Sequence, residues 1–359
     1  MYRNFKAVGR VLYGRNSFDQ LDRDVLDELR IEKDSYVLFL VDKYFEDKDF
    51  LQRIPVHPQD ILKIIDVTDE PKTKTVDAIV AEVKSLRPGL PVSVVGIGGG
   101  SVMDYAKATR LMFTNEGSSS QYQGLDFIKN KGVHCTVIPT ISGAGAEVSM
   151  TTVLTGPVKK LGIKGNFTPA DQLVLDPALI ASVPDPQRFY TAMDCYIHNI
   201  ESRNGHRKTV MGDSLGTESL RLLEEIFLSK DSHSPENDEK LMIASYLGGL
   251  SLTYAEVGAC HAISYGLATV TGIHHGLGNC IVFNQLEEFY PEGVKEFKKM
   301  MKLNNIELPK GVTAKCTPEE IEHMIDISLT LVFMWQHVCG PDWEKIITRE
   351  KLRGLLLKM

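Results

Sequence analysis

The stretch Val92 to Ile97 is short, apolar and rich in β-branched residues, and it runs without a polar interval into Gly98-Gly99-Gly100-Ser101. Beyond the glycines, Val102, Tyr105, Ala106, Ala108, Thr109 and Met112 recur at helical spacing. A buried strand that turns through glycines directly into a helix commits its surroundings to a sheet covered by helices. The flanking sequence agrees. Tyr36 to Val41 is a continuous apolar run ending at Asp42, which suits a strand buried on both faces. Lys72 to Leu86 carries Val76, Ile79, Val80, Val83 and Leu86 near helical spacing and stops before Pro88-Gly89. Cys135 to Ile138 is a third apolar run, leading into Pro139-Thr140-Ile141-Ser142-Gly143-Ala144-Gly145-Ala146-Glu147. Strands and helices that alternate in this way predict a parallel sheet, an α/β Rossmann-like nucleotide domain.

From about Pro186 the pattern turns helical, with predicted helices over Phe189–Glu201, Leu215–Phe227, Lys240–Tyr254 and Pro318–Cys339. Two prolines in Val183-Pro184-Asp185-Pro186 place the boundary there, giving an α/β domain over 1–183 and an all-α domain over 184–359. The site is expected in the cleft between them. A formal net charge of -7 lacks the basic stripe of a nucleic-acid binder. No apolar run approaches a bilayer span, and the first residues have no secretory stretch. Six cysteines (135, 195, 260, 280, 316, 339) show no paired short spacing and read as buried thiols in a cytoplasmic chain.

Glycines let the backbone approach a phosphate, and the following helix N-terminus favours its charge, so Gly98, Gly99, Gly100 and Ser101 are candidates for a dinucleotide. The bland alternative is a tight turn without a ligand. Ser142-Gly143-Ala144-Gly145 is placed as an opposite wall, and Asp42 as a carboxylate for ribose hydroxyls or an ordinary loop aspartate. In the second half, Asp194 and His198 stand at i and i+4 on one helical face. His261 lies in an apolar stretch, and His275 follows in Gly272-Ile273-His274-His275-Gly276. One carboxylate and three imidazoles suit a borderline divalent cation. Each histidine alone reads more readily as a hydrogen-bonded core residue; their appearance together favours ligands.

Taken in order, Gly98-Gly99-Gly100-Ser101 with Asp104, Pro139-Thr140 through Gly143, Gly145 and Glu147, Asp176-Pro177, Asp194-x-x-x-His198-x-x-Glu201 and His261…His275-Gly276 resemble the iron-containing (group III) alcohol dehydrogenase family. The likeness covers nearly the whole chain. It implies the dehydroquinate synthase-like fold, an NAD cofactor, and Asp194, His198, His261 and His275 as ligands of Fe²⁺, Zn²⁺, Mn²⁺ or Co²⁺. It further implies Asp42 at the adenosine ribose and Gly99, Gly100 and Ser101 at the pyrophosphate. Asp104, Thr140, Ser142, Ser149 and Lys160 then lie along the cofactor, with Thr140 and Ser149 near the nicotinamide. Where the family often carries a histidine four residues past the third ligand, this chain has Tyr265, whose phenol is a poor base at neutral pH. Arg203 and the basic run Gly205-His206-Arg207-Lys208 follow the ligand helix. With the whole-chain likeness they point to an acidic sugar as substrate, the terminal C8 alcohol of 3-deoxy-D-manno-octulosonate in lipopolysaccharide sugar biosynthesis. A homodimer is expected, without nucleic-acid or membrane partners. Another small alcohol or polyol, or a non-catalytic nucleotide-binding protein, are the alternatives.

Overall fold

The computed structural model describes residues 7–158, 160–229 and 231–359. It resolves into two units. The first runs up to Ile141 and resumes over Ala146–Ser182; the second takes Ser142–Gly145 and Val183–Met359.

In the first unit, β1 (Arg10–Tyr13), β2 (Val37–Asp42), β3 (Ile61–Ile65), α1 (Thr73–Leu86), β4 (Ser93–Gly98) and α2 (Gly100–Met112) follow in sequence. Next come β5 (Gly124–Leu125), β6 (His134–Pro139), β7 (Thr151–Thr155), β8 (Lys160–Lys164) and β9 (Gln172–Leu175). The main sheet has the order β1-β9-β6-β4-β2-β3, and its strand pairs are parallel. All six residues of β4 are buried, as are Val37 to Val41 of β2, which is why these strands read as unbroken apolar runs. Register aligns Val41 with Ile97, and Gly98 with Pro139, so the carboxyl ends of β2, β4 and β6 lie side by side. That edge is where ligands collect in open parallel sheets. The sequence reading missed a second sheet, β5-β8-β7. Its strands are short and only partly buried, β7 beginning and ending in threonine and β8 in lysine, so no apolar run announces them.

The described residues of the second unit form nine α-helices. They are α3 (Asp185–Arg203), α4 (Val210–Phe227), α5 (Pro235–Tyr254), α6 (Ala259–Thr271), α7 (His275–Phe283), α8 (Pro291–Leu303), α9 (Pro318–Thr330), α10 (Val332–Cys339) and α11 (Arg349–Leu356). Several starts follow from local chemistry. Ser234 accepts from Asn237 N–H before α5, Thr317 and Glu320 form a capping box before α9, and proline occupies the first turn of both. The single helix expected over Pro318–Cys339 is two. Its break at Leu331 arises because the Ser328 carbonyl accepts from the Leu331 N–H at 3.1 Å and the Trp335 indole at 2.8 Å, leaving nothing for Val332.

Ser142 was expected in the nucleotide domain, yet it belongs to the helical unit. Gly143 has φ +151°, and a Cβ there would lie 1.8 Å from the Thr191 carbonyl oxygen of α3. Its N–H donates to Ser245 Oγ of α5 at 2.9 Å. The backbone is seated directly on two helices.

Two glycines make opposite predictions. A Cβ on Gly266 of α6 would meet the Met324 carbonyl oxygen of α9 at 2.3 Å, whereas one on Gly354 of α11 meets nothing within 4 Å. Gly266→Ala should cost about 1–3 kcal/mol through forced backbone movement. Gly354→Ala should gain about 0.5–1 kcal/mol from reduced chain entropy. Urea unfolding of both variants checks the pair.

Candidate metal centre and nucleotide turn

On α3, Asp194, His198 and Glu201 stand at i, i+4 and i+7 and share one face. His261 enters from the first turn of α6, and His275 opens α7. One donor atom from each of Asp194, His261 and His275 falls within 4.8 Å of the others. Asp194 Oδ1 is 3.4 Å from His261 Nε2 and 3.6 Å from His275 Nε2. Ligands at tetrahedral corners, each about 2.1 Å from an ion, stand about 3.4 Å apart. Asp194 and His261 are buried and His275 is 31% exposed, so one side of the triad faces outward.

His198 is the fourth expected ligand, and it lies outside that converging group. Its Nε2 is buried and has no hydrogen-bond partner among the described residues. A Cβ on Gly248 of α5 would come within 3.0 Å of it. A buried imidazole nitrogen left unpaired is costly unless something satisfies it, and a cation beside Asp194 does so. The residues present therefore fit a divalent ion. His274 stays outside the group as the residue before α7.

Glu201 is fully buried beneath the triad. Its Oε2 receives the His261 Nδ1–H at 2.5 Å, and its Oε1 accepts from the Cys260 N–H at 2.6 Å. The ring is thereby fixed with Nε2 toward Asp194. Burial opposes charge on His261, but Glu201 and Asp194 outweigh it and push the imidazole up to about 10. Burial also opposes charge on Asp194, yet His275, His261 and His198 hold its carboxyl well below the usual range. Burial pulls His198 down to about 4, which keeps it neutral at physiological pH. Tyr265 of α6 sits against the site, its ring centroid 6.3 Å from that of His261 and 5.8 Å from that of His275. Of the expected cations, Arg203 is paired with Asp213 at 2.8 Å, Arg207 donates to the neutral Gln336 amide, and Lys208 is exposed.

In the first unit, Asp42 ends β2, where one carboxylate oxygen accepts from the Tyr44 N–H at 3.0 Å. Burial raises its pKa, opposed by the Tyr44 and Gly99 N–H groups. Gly98 is required by packing: a Cβ there would lie 2.7 Å from Val102 and 3.0 Å from Asp42. Gly100 and Ser101 form the first turn of α2, whose free N–H groups follow the glycines. Asp104 faces inward instead. Burial pushes its carboxyl up to about 6, with Lys107 and the N–H of Val153 opposing, and Lys107 Nζ lies 3.7 Å away. The buried Lys107 ammonium also holds the carbonyls of Ala146, Ser149 and Thr151 at 2.9, 3.2 and 2.6 Å. Thr140 is buried, Ser149 Oγ accepts from Thr151 N–H, and Lys160 pairs with Glu70 at 3.0 Å. Ser142, in the helical unit, has a buried Oγ without a hydrogen-bond partner among the described residues.

The sequence pattern of the iron-containing alcohol dehydrogenases matches residues 9–177, and the pattern of that family's C-terminal domain matches residues 188–330. The chain belongs to the iron-containing alcohol dehydrogenase family. Among curated family relatives, long-chain-alcohol dehydrogenase 1 of Geobacillus thermodenitrificans is 30% identical over 60% of this chain and 55% of its own. Sulfoacetaldehyde reductase of Bilophila wadsworthia is 30% identical over 51% of this chain and 49% of its own. The chain spans about half the length of these two relatives. A solved structure of sulfoacetaldehyde reductase from Bifidobacterium kashiwanohense in complex with NAD+ superimposes with a TM-score of 0.81 at 21% identity, covering 99% of this chain and 98% of the other. At that identity the likeness establishes the fold: a parallel-sheet nucleotide-type domain and a helical domain, as in other iron-containing alcohol dehydrogenases.

The family pattern includes Glu201, but its contact with His261 was not foreseen; the i, i+7 spacing from Asp194 was the available signal. Asn279, one helical turn past His275, went unnoticed and contacts all three converging residues.

Glu201→Gln leaves one carbonyl oxygen for two donors and removes the charge behind His261. It should weaken metal binding about 10–100-fold, measured by chelator competition. A second expectation concerns His337, whose Nε2 faces the Glu201 carbonyl oxygen at 3.0 Å while Nδ1 accepts from the Arg207 N–H at 3.1 Å. Burial holds its pKa below the ordinary value, against the pull of Glu201 and Glu256. Its contribution is intact above the unfolded imidazole value of about 6.5 and is lost as pH falls toward the folded value. Urea unfolding at about pH 7.5 and 5.5 should show a smaller acid loss in His337→Asn than in the unaltered protein.

Proposed function

We propose that the protein is a metal-dependent alcohol dehydrogenase passing hydride between a carbinol carbon and NAD. The carrying observation is the convergence of Asp194, His261 and His275, with Glu201 fixing the tautomer of His261. His198, with its unpartnered Nε2, is the proposed fourth ligand. A divalent ion held there supplies Lewis acidity to an alcohol oxygen and lowers its pKa. Asp194 contributes negative charge and takes no proton. Tyr265 lines the site, and its phenol acts as a hydrogen-bond partner because its ordinary pKa is too high for a base. Fe²⁺ and Zn²⁺ are the proposed ions; the donor set also takes Mn²⁺ and Co²⁺.

For the nucleotide, Asp42 at the end of β2 is proposed to bind ribose hydroxyls and to repel a 2′-phosphate, with the glycine turn and α2 N-terminus at the pyrophosphate. The proposed substrate is 3-deoxy-D-manno-octulosonate, oxidised at its terminal C8 alcohol. Support comes from the resemblance drawn in the sequence analysis, and from Arg207 and Lys208, since Arg203 pairs with Asp213. NAD rather than oxygen is the proposed acceptor, because the glycine turn with Asp42 suits a nicotinamide dinucleotide; with Zn²⁺ bound, direct oxygen reduction has no redox route.

The test is anaerobic. Zn²⁺-loaded protein with NAD should form reduced nicotinamide and aldehyde in equal amounts from the octulosonate. Asp42→Ala should narrow the preference for NAD over NADP. Faster turnover of 1-propanol than of the octulosonate would replace the acidic-sugar reading with a small-alcohol one. Peroxide formed only in air, with no cofactor reduced, would overturn hydride transfer to NAD.

A further inference from the structure

Asn279 lies one turn beyond His275 on α7 and is fully buried. Its Nδ2 is 2.7 Å from Asp194 Oδ1, 3.2 Å from His275 Nε2 and 3.3 Å from His261 Nε2. The amide orientation follows from chemistry: turned over, its carbonyl oxygen would press on the Asp194 carboxylate. As placed, Oδ1 points toward the Cys260 thiol at 4.0 Å, and the Asn279 backbone carbonyl accepts from the same thiol at 3.2 Å. Anchored from behind, the side chain aims two hydrogens at three acceptors whenever both imidazole Nε2 atoms are deprotonated, the state in which they can also ligate an ion.

Those acceptors differ in capacity. A carboxylate oxygen has lone pairs enough to accept from Asn279 and still ligate an ion. An imidazole Nε2 has one lone pair, and whichever of a proton, the Asn279 N–H or a cation takes it excludes the others. The shortest contact, to Asp194, survives ion binding; the two imidazole contacts do not.

We propose that Asn279 is a positioning residue of the metal centre, holding Asp194 in its ligating orientation and competing with the ion for His261 and His275. The inference rests on the metal centre proposed above. Loss of the amide should free the ion faster, because Asp194 loses its brace, and should not slow uptake, because a competitor for the imidazoles is gone. A merely structural lesion would slow uptake or lower the bound fraction without that split.

The experiment uses the full chain, stripped by chelator and reloaded with Co²⁺. Uptake is followed through the cobalt absorption band, and release by capture with excess chelator. Asn279→Ala removes the donor and leaves a void, and Asn279→Leu removes it while keeping the branched four-atom side chain and leaving no void, so a packing void is separated from a lost hydrogen bond. Release should quicken about tenfold or more in both, with uptake at least as fast as in the unaltered protein. If the unaltered protein takes up no Co²⁺, or His261→Ala takes it up equally well, the metal centre falls and Asn279's role with it. Co²⁺ bound by the unaltered protein, lost in His261→Ala and released from folded Asn279→Leu at the original rate overturns the role of Asn279 alone.

Discussion

Burial of the Asp194 carboxylate is the constraint around which the helical unit is arranged. A carboxylate taken out of water loses several kcal/mol of hydration unless it is matched by charge or hydrogen bonds. Asp194 is matched by the Asn279 amide at 2.7 Å and by imidazoles from two further helices. Helices must come close to bring short side chains together, and glycines at the crossings permit it. A Cβ on Gly248 would lie 2.4 Å from Cys195 Sγ, one on Gly276 would lie 2.9 Å from the Tyr190 carbonyl oxygen, and one on Gly216 would lie 2.9 Å from Asn199 Oδ1. All three neighbours belong to α3. At these three points the neighbouring backbones meet the ligand-bearing helix with no side chain between.

The nucleotide-type unit solves its own problem with the opposite charge. Lys107 is a buried ammonium answered by three carbonyl groups of the 146–151 segment and, more distantly, by Asp104. Its three donors match three acceptors. That segment, which carries Ser149, is tied to the middle of α2 through these three contacts.

What the sequence disclosed follows from what each residue type can signal locally. Three central strands were legible because burial on both faces demands unbroken apolar runs, and their observed limits differ from the expected ones by about one residue. The triad was legible because carboxylate and imidazole are rare inside apolar stretches. The outward or inward course of His198 was not legible, because it depends on which side-chain rotation the neighbouring helix permits, not on its position along α3. Asn279 was silent for a different reason: an amide in a helix has many uses, and only the three acceptors around it give it meaning. The break at Leu331 depends on an indole four residues later reaching back to a carbonyl, a competition that periodicity does not register.

The placement of Ser142–Gly145 has a consequence for how the chain is divided. Its flanks, Ile141 and Ala146, belong to the nucleotide-type unit, while the four residues between them belong to the helical one. The polypeptide passes from one unit to the other three times, at 141/142, 145/146 and 182/183. A fragment beginning at Val183 thus lacks the backbone N–H that Ser245 receives and the glycine that fills the space above Thr191. The helical half is compact in space but discontinuous in the gene, and no single cut liberates it whole.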